Sequence, residues 1–346
     1  MEKPKVGHGE RSGVRWHEVG EEEAGQRLDK ILQGLLPAVP RTRIFRLIRK
    51  GEVRVNGKRA KPEQRLASAD RLRVPPVHER SQSAQAISVG GAARVPPALI
   101  QRVTGAIVHE DERVLVLDKP AGLAVHGGSG LSYGAIEALR AARPDEPLEL
   151  AHRLDRDTSG LLLIARKSSA LRVLHALLRE GGVHKSYLVL VIGRWELGRK
   201  LINAPLHTDA RVGGERTVRV GEGGKSARTQ FRLVQHFGKQ ASLLEATLKT
   251  GRTHQIRVHA AYCGHPVAGD IKYGAAEANA RLREVGLTRM FLHAHSLSFD
   301  WPQGGNLTLS SPLPAELKSV LDRLTAPGGA GLKAGRNPGR AGSRRA

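Results

Sequence analysis

Residues 151–164, AHRLDRDTSGLLLI, set a charged loop directly against a buried strand. The run at 161–165, LLLIA, is short and aliphatic, as a strand inside a core would be. Just before it stand His152, Arg153, Asp155, Arg156 and Asp157, with Thr158-Ser159-Gly160 reading as the turn between them. The chain must therefore present a dense charged cluster at the edge of its core. Asp155 lies between two arginines, whose charge favours its ionised form. An ionised carboxylate serves as a nucleophile, a base or an ion-pair partner. Taken alone, such a cluster is more often a solvated loop with surface ion pairs.

Charge narrows the choice of partner. The 346 residues carry 56 Lys plus Arg against 33 Asp plus Glu, a net +23. That excess points to a polyanion, with nucleic acid first and an anionic membrane surface second. No apolar stretch approaches the roughly 20 residues of a spanning helix, which excludes a membrane-integral reading. The opening MEKPKVGHGERSG has no apolar core and does not read as a signal peptide. Cys263 is the single cysteine, so no intrachain disulfide forms, and the expected location is the cytoplasm. Aromatic residues are only 3% of the chain, so a grip on RNA rests mainly on charge. No exposed coiled coil or large apolar patch demands a protein partner.

Pattern divides the chain into five segments. Residues 1–24 read as a short, disordered N-terminal piece and 25–75 as a small domain. Residues 76–104 read as a linker rich in Pro, Gly, Ser and Ala, and 105–326 as the main domain. Residues 327–346 read as a disordered basic tail. In the small domain Leu28, Ile31, Leu32, Leu35 and Leu36 share one helical face, and RTRIFRLIRK forms a second helix. EVRVNGKRA then reads as strand, Asn-Gly turn and strand. Arg41, Arg43, Arg46, Arg49, Lys50, Arg54, Lys58 and Arg59 fall in this stretch with only Glu52 opposing them. Exposed helices ordinarily mix signs, so these eight are candidate RNA contacts. In the main domain many strands mix with a few helices in no regular alternation, which indicates an α+β fold. Thr253 reads as the N-cap of a helix beginning HQIRVH.

Two weaker patterns compete for the chemistry. Asp155, Asp157 and Thr158, in DRDT, resemble the DxDxT pattern of magnesium-dependent phosphatases with the threonine one place early, and the apolar strand follows the motif instead of preceding it. His254, His259, Cys263 and His265 crowd one segment, without Cys-x-x-Cys or His-Glu-x-x-His spacing for zinc.

HRLDRDTSG closely resembles the catalytic motif of the RluA family of pseudouridine synthases. HKSYLVLV, GRTHQIRVH, GHPVAGDIKYG and FLHAHSLSF match that family in the same order, across residues 105–325. The segment before them resembles an S4 RNA-binding domain. AVHGGSGLSYG and GERTVRV resemble the branch of the family that acts on large-subunit (23S) rRNA. The resemblance implies a mixed, mainly antiparallel sheet crossed by a central active-site cleft. It implies Asp155 as the catalytic carboxylate, Arg257 as its basic partner and Tyr187 as the active-site tyrosine. It implies Arg153 as the side chain that takes the place of a flipped nucleotide. The partner implied is 23S rRNA or a large-subunit precursor, and the reaction needs no cofactor or metal. A noncatalytic S4-type assembly factor is the alternative of a different class.

Overall fold

The computed structural model describes residues 14–36, 39, 41–76, 95–127, 132–209 and 217–326. The chain forms two compact units, residues 1–93 and 94–346. The basic tail expected at 327–346 lies outside the described residues.

The small unit consists of β1 (Arg15–Glu18), α1 (Leu28–Leu35), α2 (Arg41–Lys50), β2 (Arg54–Val55), β3 (Lys58–Arg59) and β4 (Arg71–Val74). Its sheet runs β1-β4-β2-β3, antiparallel throughout. Leu28, Ile31 and Leu32 of α1 and Ile44, Leu47 and Ile48 of α2 form one core with Val55 and Leu72 of the sheet. The turn between β2 and β3 has φ values of 49° at Asn56 and 79° at Gly57. Left-handed residues at both positions match the twist of a two-residue hairpin, which is why Asn-Gly suits it. Strand β1 lies in the segment expected to be disordered. Four residues, RWHE, carry too little alternation to announce a strand, and pairing with β4 supplies the hydrogen bonds that fix it.

The large unit begins with α3 (Pro97–Thr104), inside the expected linker. Eight residues hold barely two turns of periodicity, and burial of Val103 against the core anchors the helix. There follow β5 (Ile107–Glu110), β6 (Val114–Lys119), α4 (Ala135–Ala142), β7 (Glu149–Leu150), β8 (Ser159–Ala165), α5 (Ser168–Glu180) and β9 (His184–Ile192). Next come β10 (Lys200–Asn203), β11 (Leu206–Thr208), β12 (Val218–Val220), β13 (Arg228–Phe237), β14 (Ala241–Leu248) and α6 (Gln255–Tyr262). The unit ends with α7 (Ala276–Glu284), β15 (Leu292–Asp300), β16 (Asn306–Ser310) and α8 (Ala315–Thr325). Ten strands form one sheet, ordered β10-β13-β14-β9-β15-β8-β6-β5, with β16 added on β15 and β7 on β8. Every pair is antiparallel except β8 with β15.

Strand β8 explains its own sequence. Leu162 and Ile164 enter the core on one face of the sheet; Leu161, Leu163 and Ala165 enter the core on the other. A strand covered on both sides has no position for a polar residue, hence the unbroken aliphatic run. Gly160 belongs to this strand, not to a turn. Its φ is +107°, and a Cβ built there would overlap the carbonyl oxygen of Ala294 in β15. Glycine is needed because two backbones meet at the parallel pair. Gly160→Ala is expected to destabilise the large unit by about 3 kcal/mol or more, combining backbone strain with forced separation of β8 and β15. Urea unfolding followed by circular dichroism measures this; a loss within about 0.5 kcal/mol would show that the strands part without cost.

Candidate active site

The loop ahead of β8 is pinned from two sides. At its start, His152 Nε2 accepts a hydrogen bond from the backbone N–H of Leu163, at 3.1 Å. Burial, with the nearby Lys185 charge, pushes the His152 pKa down to about 3, so its ring is neutral at pH 7. At the other side stands Lys119, fully buried at the end of β6. Its Nζ donates to the carbonyls of Pro120 at 2.9 Å, Leu123 at 2.8 Å and Arg156 at 3.0 Å. Burial pushes the Lys119 pKa down to about 7, against the pull of Asp157 and Asp155. Three carbonyl acceptors match three donors, a number that only the ammonium form has.

Asp155 is partnered from far along the chain and not by its sequence neighbours. Arg257 Nη1 donates to Asp155 Oδ2 at 3.1 Å. Arg153 is exposed, and Arg156 turns to Asp157 at 3.1 Å. Arg257 is itself held by a second carboxylate. Its Nε donates to Asp270 Oδ2 at 2.7 Å and its Nη2 to Asp270 Oδ1 at 3.0 Å. Asp270 is buried, and its Oδ1 also accepts the backbone N–H groups of Lys272 and Tyr273 at 2.8 and 3.1 Å. Burial alone would raise the Asp270 pKa; the guanidinium and the two N–H donors overcome it and hold the carboxyl below its usual range. The Tyr273 ring covers the guanidinium at 5.0 Å. One fork of Arg257 is thus fixed on Asp270, leaving Nη1 aimed at Asp155. Asp155 Oδ1 accepts no hydrogen bond from the described residues, and the side chain is 18% exposed.

The helix carrying Arg257 starts one residue later than the sequence indicates. The N-cap of α6 is His254, with φ +54°, and not Thr253. Buried Gln255 holds this strained start: Oε1 accepts from Thr250 at 2.7 Å and Arg252 N at 3.0 Å, while Nε2 donates to Arg228 O and Thr229 Oγ1. Tyr273 Oη accepts from Val218 N at 3.0 Å and lies 2.8 Å from His254 Nδ1, to which its remaining proton can be donated. His254 Nε2 stands 4.0 Å from Asp155 Oδ2.

Tyr187 sits in β9 with alanines opposite it on both neighbouring strands, Ala246 and Ala294. Burial, and then the charge of Asp155, push its phenol pKa up, so the hydroxyl is protonated at neutral pH. Asp155, Tyr187, Arg257 and Arg153 all line one cleft of about 440 Å³. Lys185 and Arg252 line it too, giving a basic wall suited to a phosphodiester backbone. Asp270, Tyr273, His254, Gln255 and Lys119 are the neighbours that residue-by-residue reading left without a role. The GHPVAGDIKYG segment was the available signal for Asp270 and Tyr273.

The residues considered for zinc are engaged elsewhere. His259 uses both ring nitrogens, with Thr229 Oγ1 at 2.9 Å and Ala204 O at 3.0 Å, and His265 Nδ1 bonds Ile192 O. The phosphatase pattern also divides, since Asp155 faces Arg257 while Asp157 pairs with Arg156. In the small unit Arg43, Arg46, Arg49, Lys50, Arg54, Lys58 and Arg59 are all exposed. The side chain of Arg41 lies outside the described residues.

Residues 113–262 match the family model described as RNA pseudouridylate synthase, and residues 26–72 match the S4 domain. Ribosomal large subunit pseudouridine synthase C of Pasteurella multocida (strain Pm70) is 49% identical over 313 residues, covering 90% of this chain and 94% of that protein. The chain belongs to the RNA pseudouridine synthases. The protein of the same name from Escherichia coli (strain K12) is 48% identical over 309 residues, covering 88% of this chain and 94% of its own. The solved structure of human RNA pseudouridylate synthase domain containing 4 superposes with a TM-score of 0.55 at 26% identity, over 66% of this chain and 95% of that one. This pseudouridine synthase is therefore an isomerase of RNA uridines with an α+β catalytic fold and an S4 domain. No helix of the described residues is long and apolar enough to cross a membrane.

Two outcomes follow from this geometry. Asp270→Asn leaves the buried Arg257 charge half-matched, and is expected to lower stability by about 3 kcal/mol or more, since breaking a buried pair strands one charge. Thermal or urea unfolding measures it, and a neutral result would mean that the Arg257–Asp270 pair is not buried charge at all. The second concerns pH. Unfolded His152 takes a proton near 6.5, whereas the folded ring does so only near 3. Between those values the unfolded state binds more protons. Stability is thus fully present above about pH 6.5 and falls as pH drops, by up to about 1.4 kcal/mol per pH unit. Urea midpoints of the wild type should fall more steeply between pH 6.5 and 4.5 than those of His152→Gln; parallel curves would show a ring that protonates freely in the folded protein.

Proposed function

We propose that this pseudouridine synthase isomerises uridines in the 23S rRNA of the large ribosomal subunit, either as free rRNA or in a subunit precursor. The high identity to two proteins named as ribosomal large subunit pseudouridine synthase C supports that substrate. An rRNA substrate puts the work in the cytoplasm, a setting that one unpaired cysteine fits.

The observation that carries the mechanism is the Asp155 carboxylate, with one oxygen on Arg257 and the other free of hydrogen bonds among the described residues. Pseudouridine formation breaks the N1–C1′ bond of uridine, turns the base and rejoins it to C1′ through C5, after which C5 loses a proton. The free Asp155 oxygen meets the ribose; attack at C1′ and proton abstraction at C2′ both require an ionised, positioned carboxylate. Arg257 supplies the compensating charge at the wall of the cleft, fixed in place before the substrate arrives. Tyr187 offers its ring to the uracil, with Ala246 and Ala294 leaving room above it. Its hydroxyl, kept protonated, does not act as a phenolate: it takes the C5 proton while passing its own to the Asp155 carboxylate, released by then from the ribose. Exposed Arg153, two residues before Asp155, fills the gap that the flipped nucleotide leaves, offsetting an unstacking cost of a few kcal/mol. The exposed basic side chains of the S4 domain dock structured RNA.

Tritium release from 23S rRNA labelled at uracil C5 tests this reading. Wild type should release tritium, and Asp155→Asn should fall to the enzyme-free background. Release by the mutant would remove Asp155 from the chemistry. Wild-type activity on ribosome precursors but not on protein-free rRNA would make the precursor the substrate.

A further inference from the structure

The outer face of the small unit's sheet carries a row of side chains that the helix-and-hairpin reading did not join. Paired residues on neighbouring strands share a face. Trp16 of β1 pairs with Arg73 of β4, Arg73 with Arg54 of β2, and Arg54 with Arg59 of β3. The row therefore crosses all four strands, a span of about 14 Å at ~4.8 Å per strand. The opposite face of the sheet carries Leu72 and Val55 into the core, so this one faces outward.

Two properties distinguish the row from a solvated charged surface. First, two of its arginines are held by backbone carbonyls and not by carboxylates. Arg73 Nη1 donates to Glu52 O at 2.9 Å, and Arg54 Nη1 to Gly57 O at 3.1 Å. Their partners are carbonyls, and among the described residues no carboxylate forms an ion pair with Arg54, Arg59, Arg71 or Arg73. Arg59 packs over Gly51, at the turn that ends α2, so the row continues the basic end of that helix. Second, the far end of the row is an exposed indole. Trp16 is 56% exposed, whereas Trp195 and Trp301, the other two tryptophans of the chain, are buried. The Arg71 guanidinium lies 5.3 Å from its ring centre and fixes the ring's attitude. An ordered aromatic face beside unneutralised guanidiniums has the chemistry that holds a base by stacking and the adjoining phosphates by charge.

We propose that this sheet face is an RNA subsite of the S4 domain, in which Trp16 stacks on an unpaired base and Arg73, Arg54 and Arg59 hold the phosphates beside it. The base must be unpaired and unstacked, because a base inside a duplex has no open face to offer. The proposal rests on the RNA-docking reading of the small unit and adds where, and in what form, RNA is held.

The test uses the full chain, a 12-nucleotide single-stranded RNA, and a blunt 12-base-pair RNA duplex. Because Trp16 is the exposed tryptophan, its emission reports contact directly. Single-stranded RNA should quench it strongly and the duplex weakly. Trp16→Ala should weaken single-strand binding about tenfold without altering the slope of log Kd against log salt, and Trp16→Phe should recover part of the loss. Arg54→Gln should instead flatten that slope by about one. Unchanged emission, or Trp16→Ala binding within twofold of wild type, would overturn the subsite. So would equal quenching by vesicles of 1:1 phosphatidylcholine and phosphatidylglycerol, which would assign the face to a lipid surface. C5 tritium release by the same variants separates this result from the activity: Trp16→Ala should raise the KM for rRNA about tenfold, an unchanged KM would overturn the subsite, and failure of the wild type to isomerise would refute the activity without touching the fluorescence result.

Discussion

The structure of the active centre depends on one guanidinium shared between two carboxylates. Arg257 gives two donors to buried Asp270 and one to Asp155. The division of labour follows from burial. Asp270 is sealed in and saturated by backbone N–H groups, so it acts as a mount. Asp155 keeps an oxygen without a partner among the described residues and some solvent contact, which suits it to the reactive role proposed for it. Asp270 would not sit stably in that position without the arginine, since a buried unpaired charge costs several kcal/mol.

The mount works because the backbone around it is held at awkward points. His254 adopts φ +54° at the start of α6, a conformation costing on the order of 1–3 kcal/mol. Four hydrogen bonds from the Gln255 side chain and one from Tyr273 surround that residue. Across the cleft Lys119 ties the Asp155 loop to the end of β6 through three carbonyls. The catalytic loop is thus fixed by polar contacts to backbone, while the strands beneath it are fixed by apolar contacts on both faces.

Much of this was legible in the sequence, for reasons that can be stated. The aliphatic run after DRDTSG announces a doubly covered strand, and its length leaves no room for a helix. The Asn-Gly turn announces its hairpin because few other dipeptides take two left-handed residues. What was not legible is long-range. Asp155 looked paired with Arg153 and Arg156, two and one positions away, yet its partner comes 102 positions later. Nothing local marks Asp270 as the mount, because its burial is decided by the packing of segments distant in the chain. Strand β1 and helix α3 were too short for periodicity to show, and each is fixed by a neighbour it meets only after folding. Gly160 looked like a turn residue because the need for glycine there comes from β15, which its own surroundings do not reveal.

The single parallel pair has a consequence for the order in which the protein is made. Ser159 and His293, neighbours across it and hydrogen-bonded at 3.0 Å, are separated by 134 positions. On a ribosome adding ~5–20 residues per second, the second strand emerges on the order of ten seconds after the first. During that interval the Ser159–Gly160 end of β8 has a partner on one edge only, β6, since β7 covers just the far end of the other edge, and for most of it Asp155 has no Arg257 beside it. The nascent chain is thus both inert and adhesive until its last third is complete. An RNA modifier assembled this way gains its reactive carboxylate only when nearly finished, and depends meanwhile on whatever shields an open strand edge in the cell.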